Sequence, residues 1–278
     1  MDFFKTGFTE FDKSFGGIPS TGLTLVSCES SDYSFDLIIN LINRITIENI
    51  HCSLLSFSKM EEDAKLSFIC NTSQIPKVEF NEENSNPDVY TFLQQGKEDY
   101  DKRDINFITS SDLSLDSLCD VIEDACHNGT KVFFIHSLNN IYEEDENDLV
   151  YYNSFSTKIQ TLNNLAKKLN ISIIAMYDAQ PANYEELDDG YISEINYKLF
   201  QQYDNYSCLI IIQEIKPEFY NSNKFESKIF YASPLKSSDI LSTVNSDLWY
   251  WYKEISTVSE DNMLDFPEED RALCKTQM

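Results

Sequence analysis

The chain has 278 residues, 42% of them hydrophobic and 13% aromatic, enough to bury a substantial core as one large domain or two small ones. Its 47 acidic and 21 basic residues leave a formal charge of -26, which opposes direct binding to nucleic acid or anionic membrane. No concentrated basic patch offsets this, since the densest groups are Lys102-Arg103 and Lys167-Lys168.

The start, "MDFFKTGFTEF", lacks the basic and long apolar regions of a signal peptide, and apolar runs such as "CLIII" are too short to span a bilayer. Seven cysteines without a C-x-x-C pair point to reduced thiols in a cytoplasmic setting. Cys119 and Cys126 are spaced to share a helix face, and His51-Cys52 and Cys126-His127 are adjacent, but none has a second pair at zinc spacing, so no metal site is expected.

In chain order, short β-branched runs alternate with amphipathic segments, the pattern of a mostly parallel sheet covered by helices. Strands are expected at 23–28, 52–58, 105–110, 131–137, 171–177, 208–215 and 228–233, and helices at 34–49, 60–71, 115–128 and 151–169. In the last helix Phe155, Ile159, Leu162, Leu165, Ala166 and Leu169 recur at three- and four-residue spacing and form one face. The strands are nearly continuous in apolar residues, as they must be when both sheet faces are covered. Two polar, turn-rich segments, 81–104 and 142–152, read as surface loops. The economical division is a single α/β core over 1–255 and an acidic, aperiodic, flexible tail over 256–278.

The opening "TGFTEFDKSFGGIPSTGLTLV" carries Thr6-Gly7-Phe8, Phe11-Asp12, Gly16-Gly17 and Gly22 ahead of an apolar strand. This order and spacing resembles the RecA-like ATPases, and most closely the carboxy-terminal motor domain of DnaB-type replicative helicases. The KaiC and RadA branches begin in a similar way, but the likeness to the helicase motor continues to about residue 235. "LLSFSKMEEDAKLSFI" resembles the strand and helix that follow the nucleotide loop, and "VFFIHSLNNI" resembles the Walker B strand. "IQTLNNLAKKLNISIIAMYDAQ" resembles the long helix and sensor strand. The resemblance implies a RecA-like, P-loop NTPase-type twisted sheet flanked by helices.

It also implies where chemistry would sit, and there the sequence departs. A P-loop, G-x-x-x-x-G-K-[ST], wraps backbone N–H groups around phosphate, adds a lysine charge and ligates magnesium through its hydroxyl. Here Ser27 and Asp32 stand at the glycines, Tyr33 at the lysine and Ser34 at the hydroxyl, so only Ser34 matches; no other glycine opens such a loop. The position of the water-activating glutamate is Met60, with Glu61 one residue late; that of the metal-supporting aspartate is His136; that of the sensor glutamine is Asp178. Glu214 and Lys216 fall where the family places its interfacial basic pair.

A carboxylate about 4 Å from a phosphate charge costs about 4 kcal/mol at an effective dielectric near 20. Glu29 and Asp32 together therefore cancel most of the ~8 kcal/mol that a micromolar ligand requires. The helix start at Ser34 retains N–H groups that favour an anion, and Ser31 or Asp32 is expected to cap it instead. Tyr33 and Met60 read as volume fillers and His136 as a hydrogen-bonded histidine.

The reading is a pseudo-ATPase, a catalytically inactive relative of the helicase motor, acting as a binding, assembly or regulatory module in DNA replication or recombination. No cofactor is expected. The partner is another protein, such as a RecA-like ATPase, a helicase or a loader, or a second copy. Two alternatives stand beside it: an ATP- and magnesium-dependent helicase with an atypical P-loop, and an acidic interaction protein or DNA mimic.

Overall fold

The computed structural model describes residues 2–6, 12, 16–28, 31–57, 59–73, 87–111, 113–142, 151–178, 184–187, 190–193, 207–215, 226–232 and 242–243. Of these, residues 28, 31–34, 36, 87–90, 151–154, 184–193 and those after 210 are placed by backbone alone. Glu29, Lys216 and the tail over 256–278 lie outside the described residues.

The strands are β1 (Phe3–Phe4), β2 (Ile18–Pro19), β3 (Gly22–Cys28), β4 (Cys52–Ser56), β5 (Ile105–Thr109), β6 (Leu113–Ser114), β7 (Val132–His136), β8 (Ile141–Tyr142) and β9 (Ser172–Asp178). They continue with β10 (Tyr184–Leu187), β11 (Gly190–Ser193), β12 (Cys208–Ile215), β13 (Glu226–Ala232) and β14 (Ser242–Thr243). The helices are α1 (Ser31–Ile47), α2 (Glu61–Ser73), α3 (Pro87–Tyr100), α4 (Leu115–His127) and α5 (Tyr151–Leu169).

The main sheet runs β14-β13-β12-β3-β9-β7-β4-β5. Every neighbouring pair from β12 to β5 is parallel, while β13 and β14 join antiparallel at one side. Alternation along each strand sends successive side chains to opposite faces. Val26, Leu54, Phe134, Ile174, Met176 and Ile210 pack with Leu37, Ile38, Leu41, Ile42 and Ile45 of α1 and Ala64 and Phe68 of α2. Leu25, Leu55, Phe133, Ile135, Ile173, Ala175 and Leu209 pack with Leu118 and Ile122 of α4 and Ile159, Leu162 and Ala166 of α5. Adjacent Phe133 and Phe134, both 0% exposed, thus serve different cores, and each contributes about 2 kcal/mol through burial. The α5 stripe is as expected, with Phe155 and Leu169 at its half-buried ends.

The segment 81–104 is not a loop: its central part, Pro87–Tyr100, is α3. This helix packs on α2 rather than on the sheet, so it needs little apolar surface. Its contact is made through a glycine. A Cβ at Gly96 would lie 2.3 Å from Ser73 Oγ and 2.9 Å from the Ile69 carbonyl. Ser73 Oγ donates to the Phe92 carbonyl at 2.9 Å, and Tyr100 meets the Phe68 ring edge-on at 5.2 Å. Close approach through glycine is invisible to a search for apolar periodicity, and Pro87 at the first helical position was a start signal. The second expected loop, 142–152, shrinks at both ends, since Tyr142 belongs to β8 and α5 begins at Tyr151; residues 143–150 lie outside the described residues.

One polar contact locks the sheet to α5 at its N-terminal edge. Asn163, 3% exposed, accepts at Oδ1 from the Leu23 N–H and from Ser207 Oγ, both at 3.0 Å. Gly22, at φ 104°, fits against this pair only because it has no Cβ, which would lie 2.0 Å from Ser207 Oγ.

Candidate functional site

The parallel strands deliver their C-terminal ends to one edge, where open α/β sheets hold ligands. Cys28 pairs with Asp178, and Ser56 pairs with His136, so residues from four distant segments of the sequence meet there. Ser27 is buried on β3, on the face that packs against α4 and α5. Asp178 ends β9 and is half-buried. Glu214 belongs to β12 two residues beyond Ile212, the partner of Cys28, so its backbone reaches the same edge.

The junction between β3 and α1 differs from expectation. The helix begins at Ser31 rather than Ser34, and the strand continues through Cys28. Asp32, Tyr33 and Ser34 therefore occupy the first helical turn, and Ser31 and Asp32 do not stand outside a helix that starts at Ser34. Only residues 29 and 30 separate strand from helix. Of the five residues that a P-loop pattern places between its first glycine and its lysine, positions 28–32 here, Cys28 belongs to the strand and Ser31 and Asp32 to the helix. What remains is an ordinary helix start, whose first-turn N–H groups lack intrahelical partners.

His136 is 1% exposed at the end of β7, and its ring meets Phe35 of α1 with centroids 5.1 Å apart at 63°, an edge-on contact. The Lys59 ammonium stands 5.8 Å from the centre of the same Phe35 ring, and the Lys59 N–H donates to Ser56 Oγ at 3.1 Å. Asn139, in the short turn Leu138–Asn140, braces the end of β9: its Nδ2 donates to the Asp178 carbonyl at 3.2 Å and its Oδ1 accepts from the Asp178 N–H at 2.9 Å. Ser137 Oγ donates to the same Oδ1 at 2.9 Å and accepts the Asn139 N–H. Sequence reasoning passed over Phe35, Lys59 and Asn139. The paired asparagines in "HSLNN" were the one available signal, since they mark a tight turn.

The DnaB-like helicase C terminal domain family matches this chain over residues 4–182, more than half its length. The chain belongs to that family. A solved ATPase domain shares its fold with TM-score 0.70 and 14% identity, covering 87% of this chain and 86% of that one. A DnaB-like replicative helicase, solved with its interactions with primase, gives TM-score 0.67 and 14% identity, covering 87% of this chain but 58% of that one. No curated protein matches the chain.

Within this DnaB-like frame, Met60 is not a volume filler, because it is 63% exposed. It stands as the N-cap of α2: its carbonyl accepts from the Ala64 N–H at 3.2 Å, and its N–H is taken by Asp63 Oδ2 at 3.2 Å. The cap thus has half a capping box and no side-chain acceptor of its own. Met60→Ser is expected to stabilise the protein by about 1 kcal/mol, read as a higher urea midpoint with unchanged slope. No shift would show that the first-turn N–H groups are already satisfied. Glu61, the register-shifted candidate base, is the exposed first residue of α2.

Among the described residues no group of three or more His, Cys, Asp or Glu side chains is placed to hold a metal ion. Burial raises the Cys119 thiol, and Asp116, Asp120 and Glu123 add to that, which suits a packed thiol better than a reactive one. Burial likewise pushes Cys52 well above the ordinary thiol range, with Asp104 adding to it. No described helix is long and apolar enough to cross a membrane.

Proposed function

We propose that this DnaB-like domain is a catalytically silent member of its family, a binding, assembly or regulatory module that works through protein contacts in DNA replication or recombination. The observation that carries it is the β3–α1 junction. The strand runs to Cys28 and the helix starts at Ser31, so three of the five positions that a phosphate cradle would turn around its ligand belong to strand or helix. The surrounding chemistry supports the same reading. Met60 carries no carboxylate, and His136 is buried in a ring contact rather than set toward a metal. Phosphoryl transfer depends almost entirely on positioned charge, so losing several of these groups together removes the means of catalysis.

The formal charge of -26 favours a protein partner, another RecA-like ATPase, a helicase, a loader or a second copy, over direct contact with nucleic acid. That charge is also what a DNA mimic would require, and displacement of DNA from a captured partner would move the reading there.

Calorimetric titration of the full chain with ATP and magnesium, beside a phosphate-release assay, is the test. The expected result is no saturable heat at micromolar nucleotide and no turnover above buffer. A micromolar dissociation constant that Ser34→Ala abolishes would overturn the reading in favour of an atypical but working P-loop.

A further inference from the structure

We infer that Phe35 is an internal stopper: its ring closes the region beside Ser34 and His136 in which a magnesium ion and terminal phosphates would need room. The inference rests on the silent reading and deepens it, by naming the side chain that fills the space.

Phe35 follows Ser34, the one position that matches the phosphate-loop pattern, and it is 2% exposed. Its ring is held from two sides. His136 of β7 meets it at 5.1 Å, and Lys59, tethered through its N–H to Ser56 of β4, lies 5.8 Å from its centre. Ser56 and His136 are register partners, so ring, histidine and lysine stem form one block over the ends of two adjacent strands. Protein interiors are close-packed, with few voids larger than a water molecule. Magnesium needs about six oxygen ligands at about 2.0–2.1 Å and retains several waters. A packed aromatic ring against an imidazole offers neither the volume nor the oxygens, so the residues present do not fit the ion.

The block also has a mechanical consequence. It ties the first turns of α1 to β7 and β4 through the chain's own side chains.

Phe35→Ala and the milder Phe35→Leu, made in the full chain, test this. The alanine variant is expected to melt about 10 °C lower and the leucine variant less than half as far. Toluene, which enters dry apolar cavities, is expected to raise the melting temperature of the alanine variant by a few degrees and to leave the wild type unchanged. An alanine variant that melts with the wild type and ignores toluene would overturn the stopper while leaving the silent reading intact. If the alanine variant fails to fold, a leucine variant that melts with the wild type overturns the stopper and one that melts lower supports it. A melting shift of the wild type with magnesium and ATP would instead overturn the silent reading, whatever toluene does.

Discussion

Asn163→Leu is expected to remove about 2–5 kcal/mol of stability, a large share of the ~5–15 kcal/mol that holds a domain folded. The side-chain oxygen of Asn163 is the acceptor for two buried donors, the Leu23 N–H and Ser207 Oγ, each at 3.0 Å. Leucine offers no acceptor, so both donors lose their partner away from water, at about 1–3 kcal/mol each. The effect reaches the sheet directly: Leu23 is the second residue of β3, and the Ser207 N–H, which donates to the Leu23 carbonyl at 2.8 Å, leads into β12. Urea unfolding should show a lower midpoint at unchanged slope. A loss below about 1 kcal/mol would mean that water or a shifted serine satisfies both donors.

Most of the framework is legible in the sequence for one physical reason. Strands such as Val132–His136 and Ser172–Asp178 are buried on both faces, so nearly every residue must be apolar, and that run survives in the composition. The α5 stripe is legible because a helix on a sheet needs a wide apolar face. Helix α3 was hidden because it packs on another helix through Gly96, a contact made by absence of a side chain. Site positions fared unevenly for a related reason. Comparison with the family's motifs brought Ser27, His136 and Asp178 to the strand ends, since strand register follows from apolar pattern. It missed Phe35, which looks like one more core residue of α1 until its ring is seen against His136. It also misjudged Met60, since burial next to a helix start depends on which side of the cap a residue projects, and apolar character does not encode that. The shortness of the β3–α1 junction was equally hidden, because Ser31, Asp32 and Ser34 suit a cap or a first turn about equally well.

Placing an acidic residue at His136, where the resemblance to the helicase motor sets one, is expected to harm this protein rather than give it activity. His136→Asp should cost about 3–5 kcal/mol and yield no ATP hydrolysis. The position is 1% exposed, faces the Phe35 ring and is the register partner of Ser56. A carboxylate there loses its hydration, and the Phe35 ring edge-on to this position offers it no hydrogen bond in exchange. The sign of the pH effect follows. Burial raises the introduced carboxyl's pKa above its unfolded value, so the native state binds the extra proton and stability falls as pH rises through that range. The deficit relative to His136→Asn, which keeps polarity without charge, should therefore be largest near pH 7 and shrink toward pH 4, with urea midpoints as the readout. A pH-independent gap would show that the site admits water or a counter-ion. ATP turnover in His136→Asp alone would show that His136 blocks an otherwise competent site. That outcome is opposed by the two-residue β3–α1 junction and by Met60, neither of which the substitution repairs. Catalytic groups that act as a unit are not recovered one at a time.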